Sequence, residues 1–393
     1  MSELRPLEGH DAVRLALGRA TLENTLPGSL LLHGPAGIGK QRLGLWLAQR
    51  IVCTAPRETE PCGACQPCRL VLRLEHPDVH WFFPLARPKR VSGPDKLADA
   101  LEEARAAELE ARRAEPLRPT APAAEPVGFF LAQIQTLRGH AHARPAIGAR
   151  KVFLIGDAER LVPQEASPEA ANALLKILEE PPADAIFILT AADPDALLPT
   201  IRSRLLPIRL RPLGEDVVAR FLIDQHGAPE AAARSAARLA QGSIGQALGF
   251  LPAGDEPGPL ETLRRRARDL LAAATTDSEI PRLALAHATP TAGARGLFSD
   301  TLDFLRLWLR DLAAAASGAE ALVVNHDALD FLTDLVRRLP DAAAAVPDAL
   351  RSVDEAATLA HGNVNPQLIL AWLLHTLHRQ LAPRDLAHRP LHR

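Results

Sequence analysis

An α/β domain built on a parallel sheet and followed by an all-α region is the fold class the sequence predicts, on three observations. Short runs of continuous apolar residues alternate with helical patterns through the first half of the chain. A glycine-rich G-x-x-x-x-G-K segment directly follows the first of these runs. From about residue 213 onward the pattern is helical, with Gly and Pro as punctuation.

The strand-like runs lie at 29–33, 78–83, 151–155 and 185–190, with a fifth at 205–210. Strands that are apolar along their whole length, separated by helices, imply a parallel sheet covered on both faces. Between 86 and 126 the composition shifts to Ala, Glu, Arg and Pro. An exposed helix is expected near 95–115 and a Pro/Ala linker at 116–126, the whole forming a surface insertion, partly disordered. In the last third, Leu302, Phe304, Leu305, Leu307, Trp308 and Leu309 fall in one helix. Ile369, Leu370, Trp372, Leu373, Leu374 and Leu377 fall in another. Apolar faces this wide are buried on other helices or other subunits.

The chain has 393 residues, enough for two or three domains with cores of their own. Apolar residues make up 47% and no apolar run reaches the length of a membrane span. Residues 1–11 are polar and lack the apolar core of a signal peptide, so a cytoplasmic location is expected. The net charge is −2, and no basic stripe is visible. A chain that gripped nucleic acid unaided would carry one.

Two constellations carry chemistry. The first is Gly34-Pro35-Ala36-Gly37-Ile38-Gly39-Lys40-Gln41, a phosphate-binding loop placed between strand and helix. Gly34, Gly37 and Gly39 let backbone N–H groups turn around a phosphate, the next helix offers its dipole, and Lys40 would reach the terminal phosphates. Gln41 stands where a Ser or Thr hydroxyl normally ligates Mg²⁺. An apolar strand ending in acidic groups should complete the site, and 152–155 leads into Gly156, Asp157, Ala158 and Glu159. The second constellation is Cys53, Cys62, Cys65 and Cys68, all the cysteines of the chain within one short window. Four thiolates at this spacing can close a tetrahedral, structural zinc site, and Pro61, Gly63 and Pro67 favour the tight turns of a knuckle. An iron–sulfur cluster and unliganded thiols are the alternatives. His76 and His80 are near in sequence, but four thiols suffice.

Downstream, Asn172-Ala-Leu-Leu-Lys-Ile-Leu-Glu-Glu-Pro-Pro182 reads as a helix stopped by a double proline, with Ser203-Arg204 some twenty residues on. Together with the loop, the cysteine spacing and Asn363-Val-Asn365-Pro-Gln-Leu368, this resembles the clamp-loader branch of the AAA+ family. The arrangement is similar to bacterial gamma/tau and delta-prime subunits and covers nearly the whole chain outside 86–126.

The resemblance implies a RecA-like AAA+ P-loop domain at 1–212 with an inserted zinc module at 53–68. A small helical lid at 213–252 and an all-α, oligomerising collar at 253–393 complete the chain. Active relatives end the second strand in Asp-Glu, where this chain has Gly156-Asp157. Their lid reads G-S-x-R, where this chain has Gly242-Ser243-Ile244-Gly245, and their S-R-C reads Ser203-Arg204-Leu205. The implied protein is a non-hydrolysing subunit that holds nucleotide weakly or not at all on Gly34, Gly37, Gly39 and Lys40. Its Arg204, with Ser203 beside it, enters a neighbour's ATP site as a trans arginine finger. Read without the resemblance, Arg204 is a helix-end arginine making local salt bridges, with Arg202 as its decoy. Implied partners are gamma/tau and delta subunits and, indirectly, the sliding clamp and primer–template DNA, within a DNA-directed DNA polymerase holoenzyme. The chain itself is expected to have no independent catalysis. An active gamma/tau-type ATPase is the alternative. A small-substrate P-loop kinase offers no reason for the cysteines or for 172–182.

Overall fold

The computed structural model describes residues 4–5, 7–89, 91, 93–117, 127–161, 169–290, 295–362 and 364–382. Among these, residues up to Leu248 form one compact unit and residues from Gly249 onward form another.

In the first unit, α1 (Asp11–Leu22) precedes β1 (Ser29–His33), the glycine loop and α2 (Lys40–Val52). The cysteine segment leads into α3 (Gln66–Leu72), then β2 (Val79–Phe82) and β3 (Leu85–Ala86). Helix α4 (Pro94–Ala114), β4 (Val127–Gly128) and α5 (Leu131–His142) bring the chain to β5 (Lys151–Ile155). Then come α6 (Glu169–Glu179), β6 (Ala185–Ala191), the short α7 (Pro199–Arg202) and β7 (Leu206–Arg209). Helices α8 (Glu215–Phe221), α9 (Glu230–Leu239) and α10 (Ile244–Phe250) follow.

Five strands pair in the order β2-β5-β6-β1-β7, and every pairing is parallel. β3 and β4 form a separate antiparallel pair. All residues of β5 and β6 are buried. Their alternation feeds two cores, because successive side chains of a strand point to opposite faces. On one face Leu30, Leu32, Val152, Leu154 and Ile188 pack with Leu43 and Leu47 of α2. On the other, Leu31, Phe153, Ile155, Phe187 and Leu189 pack with Ile134 and Leu137 of α5 and Leu174 of α6. Each such side chain contributes about 1.5–3 kcal/mol by leaving water.

The expected strands are present, each within a residue or two of its predicted ends. The helix expected near 95–115 is α4, and its inner side is less exposed than the sequence implies. Leu101 is buried, Arg105 stacks over Phe82, and Arg112 lies over Trp81 and Phe83. Three aromatic residues at and just beyond edge strand β2 give the helix an apolar seat, and the arginine stems cover it. The linker at 116–126 falls almost wholly outside the described residues.

In the second unit, α11 (Pro259–Ala274), α12 (Ile280–His287), α13 (Arg295–Ala316), α14 (Leu329–Arg338), α15 (Ala342–His361) and α16 (Pro366–Leu381) surround one core. Leu302, Leu305, Trp308 and Leu309 of α13 are buried there, as are Ile369, Leu370, Leu373, Leu374 and Leu377 of α16. Trp372 is not; it stays 36% exposed. Asp311, fully buried, is satisfied by the backbone N–H groups of Val324 and Asn325 and by the Asn325 amide. No helix is long and apolar enough to cross a membrane, among the described residues.

Candidate functional site

The phosphate-binding loop lies at the C-terminal end of β1, between β6 and β7, where a parallel sheet opens its crevice. Gly34, Gly37 and Gly39 take positive φ values of 145°, 73° and 99°, backbone that a side chain would strain. A Cβ on Gly37 would also meet Ser243 Oγ at 2.3 Å. The start of α10 is docked there, with the Gly245 N–H donating to Gly37 O at 3.1 Å. Gly245, where the resemblance expects an arginine, therefore presents its backbone to the loop. On the other side of the loop His10 Nε2 lies 2.7 Å from Ile38 O.

Lys40 is folded back onto its own loop. Its Nζ donates to Gly34 O and Pro35 O, both at 2.8 Å, and the side chain is buried. Burial pulls the Lys40 amine below its ordinary range, while Asp157 and Glu159 act to raise it. Glu159 has one oxygen accepting from the Ala192 N–H at 3.0 Å and the other buried without a partner. Burial pushes its carboxyl up.

The magnesium-handling positions meet each other. Gln41 Nε2 donates to Asp157 Oδ1 at 3.0 Å. A Cβ on Gly156 would lie 2.8–2.9 Å from the Gln41 amide group, so the glutamine head occupies the space a side chain at 156 would need. Arg112, from α4, reaches Gln41 Oε1 at 3.5 Å. An amide bridge therefore spans the place between loop and acidic turn where a hydroxyl and a carboxylate would face a cation. Arg112 went unnoticed in the sequence, where Glu159 was read only as part of the acidic strand end. Nothing in the composition of 86–126 signals that one of its arginines reaches residue 41.

The four cysteine sulfurs all lie within 4.8 Å of one another. Cys62 and Cys68 are 3.9 Å apart, as are Cys53 and Cys65. Four thiolates about 2.3 Å from one tetrahedral ion would be separated by about 3.8 Å, so the donor set fits a single metal ion. The N–H groups of Cys62 and Cys65 point at Cys53 and Cys62 sulfurs, both at 3.3 Å, and such bonds stabilise thiolates. His76 and His80 stand apart from this cluster. His76 Nδ1 accepts from the Asp78 N–H, and His80 stacks between His140 and Phe153.

Arg204 lies just beyond α7, two residues past its last helical position. Leu197, Ile201 and Leu205 are buried beneath this segment and fix its outward side. Arg204 Nη2 donates to Glu179 Oε1 at 2.6 Å, and Nη1 to Thr200 O at 2.7 Å. Ser203 Oγ donates to Thr200 O at 3.1 Å. Arg202 pairs with Asp195. The local salt bridge is thus present, and it holds the guanidinium at the surface with its Nε–H uncommitted.

A parallel sheet with a glycine loop and lysine after β1, an acidic turn after β5, and helices on both faces is a P-loop α/β protein, here with its magnesium positions bridged by its own side chains. The sequence model described as DNA polymerase III, delta subunit, matches residues 9–214, just over half the chain. The chain belongs to the DNA polymerase III delta' family. It is 28% identical to DNA polymerase III subunit delta' of Escherichia coli K12 over 356 residues, 90% of each chain. It is 34% identical to subunit delta' of Pseudomonas aeruginosa over 176 residues, 44% of this chain and only 40% of that relative. To subunit tau/gamma of Haemophilus influenzae it is 26% identical over 245 residues, 61% of this chain and 29% of the other.

Proposed function

We propose that this chain is a non-hydrolysing delta'-type subunit of a bacterial DNA polymerase III clamp loader. In this reading it acts as a scaffold in the cytoplasm, without catalysis of its own. It assembles with gamma/tau and delta subunits in a hetero-oligomeric ring and presents Arg204 to the ATP site of an adjacent subunit. Through them it supports ATP-driven opening of the sliding clamp and its loading on primer–template DNA.

The observation that carries this reading is the bridge from Gln41 to Asp157 over Gly156. A hydrolysing site needs a cation held between phosphates and the acidic strand end. Here that ground is taken by the chain's own amide, and Lys40 is spent on loop carbonyls. Family membership and a closed site of its own leave a role in a neighbour's chemistry. Arg204 is an exposed cation beside a delta'-type Ser203 and supports that role. Residues 1–212 then serve as the AAA+ domain, 213–252 as its lid and 253–393 as the oligomerising collar. Cys53, Cys62, Cys65 and Cys68 hold a structural Zn²⁺; four thiolates leave no open position for catalysis. Exposed Leu368 and Trp372, four residues apart on α16, support the assembly role of the collar.

Reconstitution with gamma/tau and delta partners tests this. Arg204→Ala is expected to assemble normally and to lower the ATPase of the complex several-fold or more; an arginine finger is worth about 10³–10⁵ in rate in the systems where it was measured. Magnesium-dependent ATP turnover by the purified chain would instead favour a gamma/tau-type motor, the reading to which its likeness to tau/gamma points.

A further inference from the structure

Two residues beyond Lys40, Arg42 faces an unexplained electrostatic situation. Its Nη1 has no accessible surface and no partner. Among the described residues no carboxylate or carbonyl within hydrogen-bond distance answers it. Burial alone lowers its guanidinium to about 10.

Arg42 lines a half-open cavity of about 200 Å³ between Leu4, Arg5 and Leu7, α2 and the cysteine knuckle. The polar lining is Arg5, Arg14, Arg42, Gln49 and Glu60. Glu60 is already engaged, by Arg14 Nη2 at 2.8 Å and Trp46 Nε1 at 2.9 Å. Gln49 donates to Cys68 O at 3.2 Å. Arg14 Nε is a second buried donor without a partner. Both bonds to Glu60 fall on its Oε2, and three guanidiniums thus share this cavity with a single carboxylate. The rest of the wall is apolar, including Leu4, Leu7, Leu45 and Trp46.

Arg42 as a whole is partly exposed, but burying one of its charged donors without an acceptor is costly. Such a buried donor calls for an explanation, and a bound anion is one that supplies the missing acceptor. Arginine's planar fork matches an oxyanion in bidentate geometry. The apolar wall asks for an apolar body attached to that anion. A free, hydrated phosphate would leave the leucines and Trp46 uncovered. Nucleic acid fits poorly as well, because the chain as a whole carries a net charge of −2.

We propose that this cavity binds an acidic side chain carried on an apolar peptide segment of a partner protein, with Arg42 as its principal anchor and Arg14 beside it.

The test uses the full chain with its metal in place. Melting temperature and calorimetric affinity are measured with acetyl-Leu-Glu-Leu-Phe-amide, with its Gln analogue and with inorganic phosphate. Wild type is compared with Arg42→Met and with the exposed control Arg351→Met. The peptide is expected to raise the melting temperature of wild type and of the control. The Gln analogue or Arg42→Met should weaken affinity at least about tenfold, the loss of one charge-assisted pair. Unliganded Arg42→Met should melt above wild type, since an uncompensated cation has been removed. The proposal is overturned if the Glu and Gln peptides behave alike on wild type, a comparison that stands even if the variant folds poorly. It is equally overturned if phosphate matches the peptide. It also fails if Arg42→Met melts lower and loses metal, which would make Arg42 the counter-charge of the thiolate knuckle.

Discussion

Gln41 and Gly156 lie 115 positions apart and act as one feature. Read in sequence they are two separate departures from a working nucleotide site. In space, the first fills the volume that the second vacates. The consequence is a coupling between them. Gly156→Ala must displace the Gln41 amide, whose atoms lie 2.8–2.9 Å from the new Cβ. The glutamine end can swing away, but it then gives up its bond to Asp157. The expected cost is about 1.5–3 kcal/mol, the worth of a hydrogen bond to a charged group. In a Gln41→Ala background the same substitution should cost close to nothing. A double-mutant cycle by urea unfolding measures this, and additive effects would show that the bridge contributes nothing. The loop itself was legible in the sequence, because glycine spacing is a local signal. The bridge was not, since it depends on β6 lying between β1 and β5 and on a helix from the 86–126 segment delivering Arg112. Arg204 shows the same limit. Its motif was plain, while its partner Glu179 emerged only once α6 and α7 were packed together.

Among the elements, strands were the most legible. A buried parallel strand is apolar along its whole length, so β1, β5 and β6 are marked by composition alone. Helix α7 is marked less plainly, since Leu197, Ile201 and Leu205 keep apolar spacing although only four residues are helical. The cysteine knuckle was legible as a donor set but not as a structural joint. It ties the end of α2 to the start of α3: Cys53 caps the first, and Cys68 lies buried in the second beneath the Gln49 contact. Closing this loop with a metal should stabilise the elements at both ends, as structural zinc sites do. Chelation is therefore expected to release about one metal ion per chain and to lower the melting temperature of the first unit. The α13–α16 bundle, which contains no cysteine, should melt as before. Elemental analysis and calorimetry before and after chelation check both parts. Unchanged melting after complete metal loss would reduce the cluster to a passive surface loop.

For the molecule as a whole, the proposed function asks how a subunit with this bridged loop would take part in an assembly. The second unit has a satisfied interior: Asp311 is bonded within it, and the Trp308 indole donates to Arg264 O at 3.0 Å. Yet Leu368 and Trp372, one turn apart on α16, and Val364 just before that helix remain 65%, 36% and 42% exposed. On neighbouring α12, Ile280 and Leu283 are 77% and 60% exposed. Gln367 links the two helices by donating to His287 O and Thr289 O. Single exposed apolar residues are ordinary on a protein surface, but this many on two adjacent helices of one bundle suit a subunit joint. The joint should therefore be separable from the fold. Leu368→Ser with Trp372→Ser removes apolar area that the isolated chain leaves in water, so its melting temperature is expected to stay within a degree or two. If these side chains are buried on a partner, each costs about 1 kcal/mol or more when removed, and affinity for gamma/tau and delta partners falls at least about tenfold. Analytical ultracentrifugation of the reconstituted complex reads the second effect and calorimetry of the isolated chain the first. Lost stability with intact assembly would place the stripe in the core of the bundle; loss of assembly with stability intact makes it the surface through which this chain reaches a neighbour's chemistry.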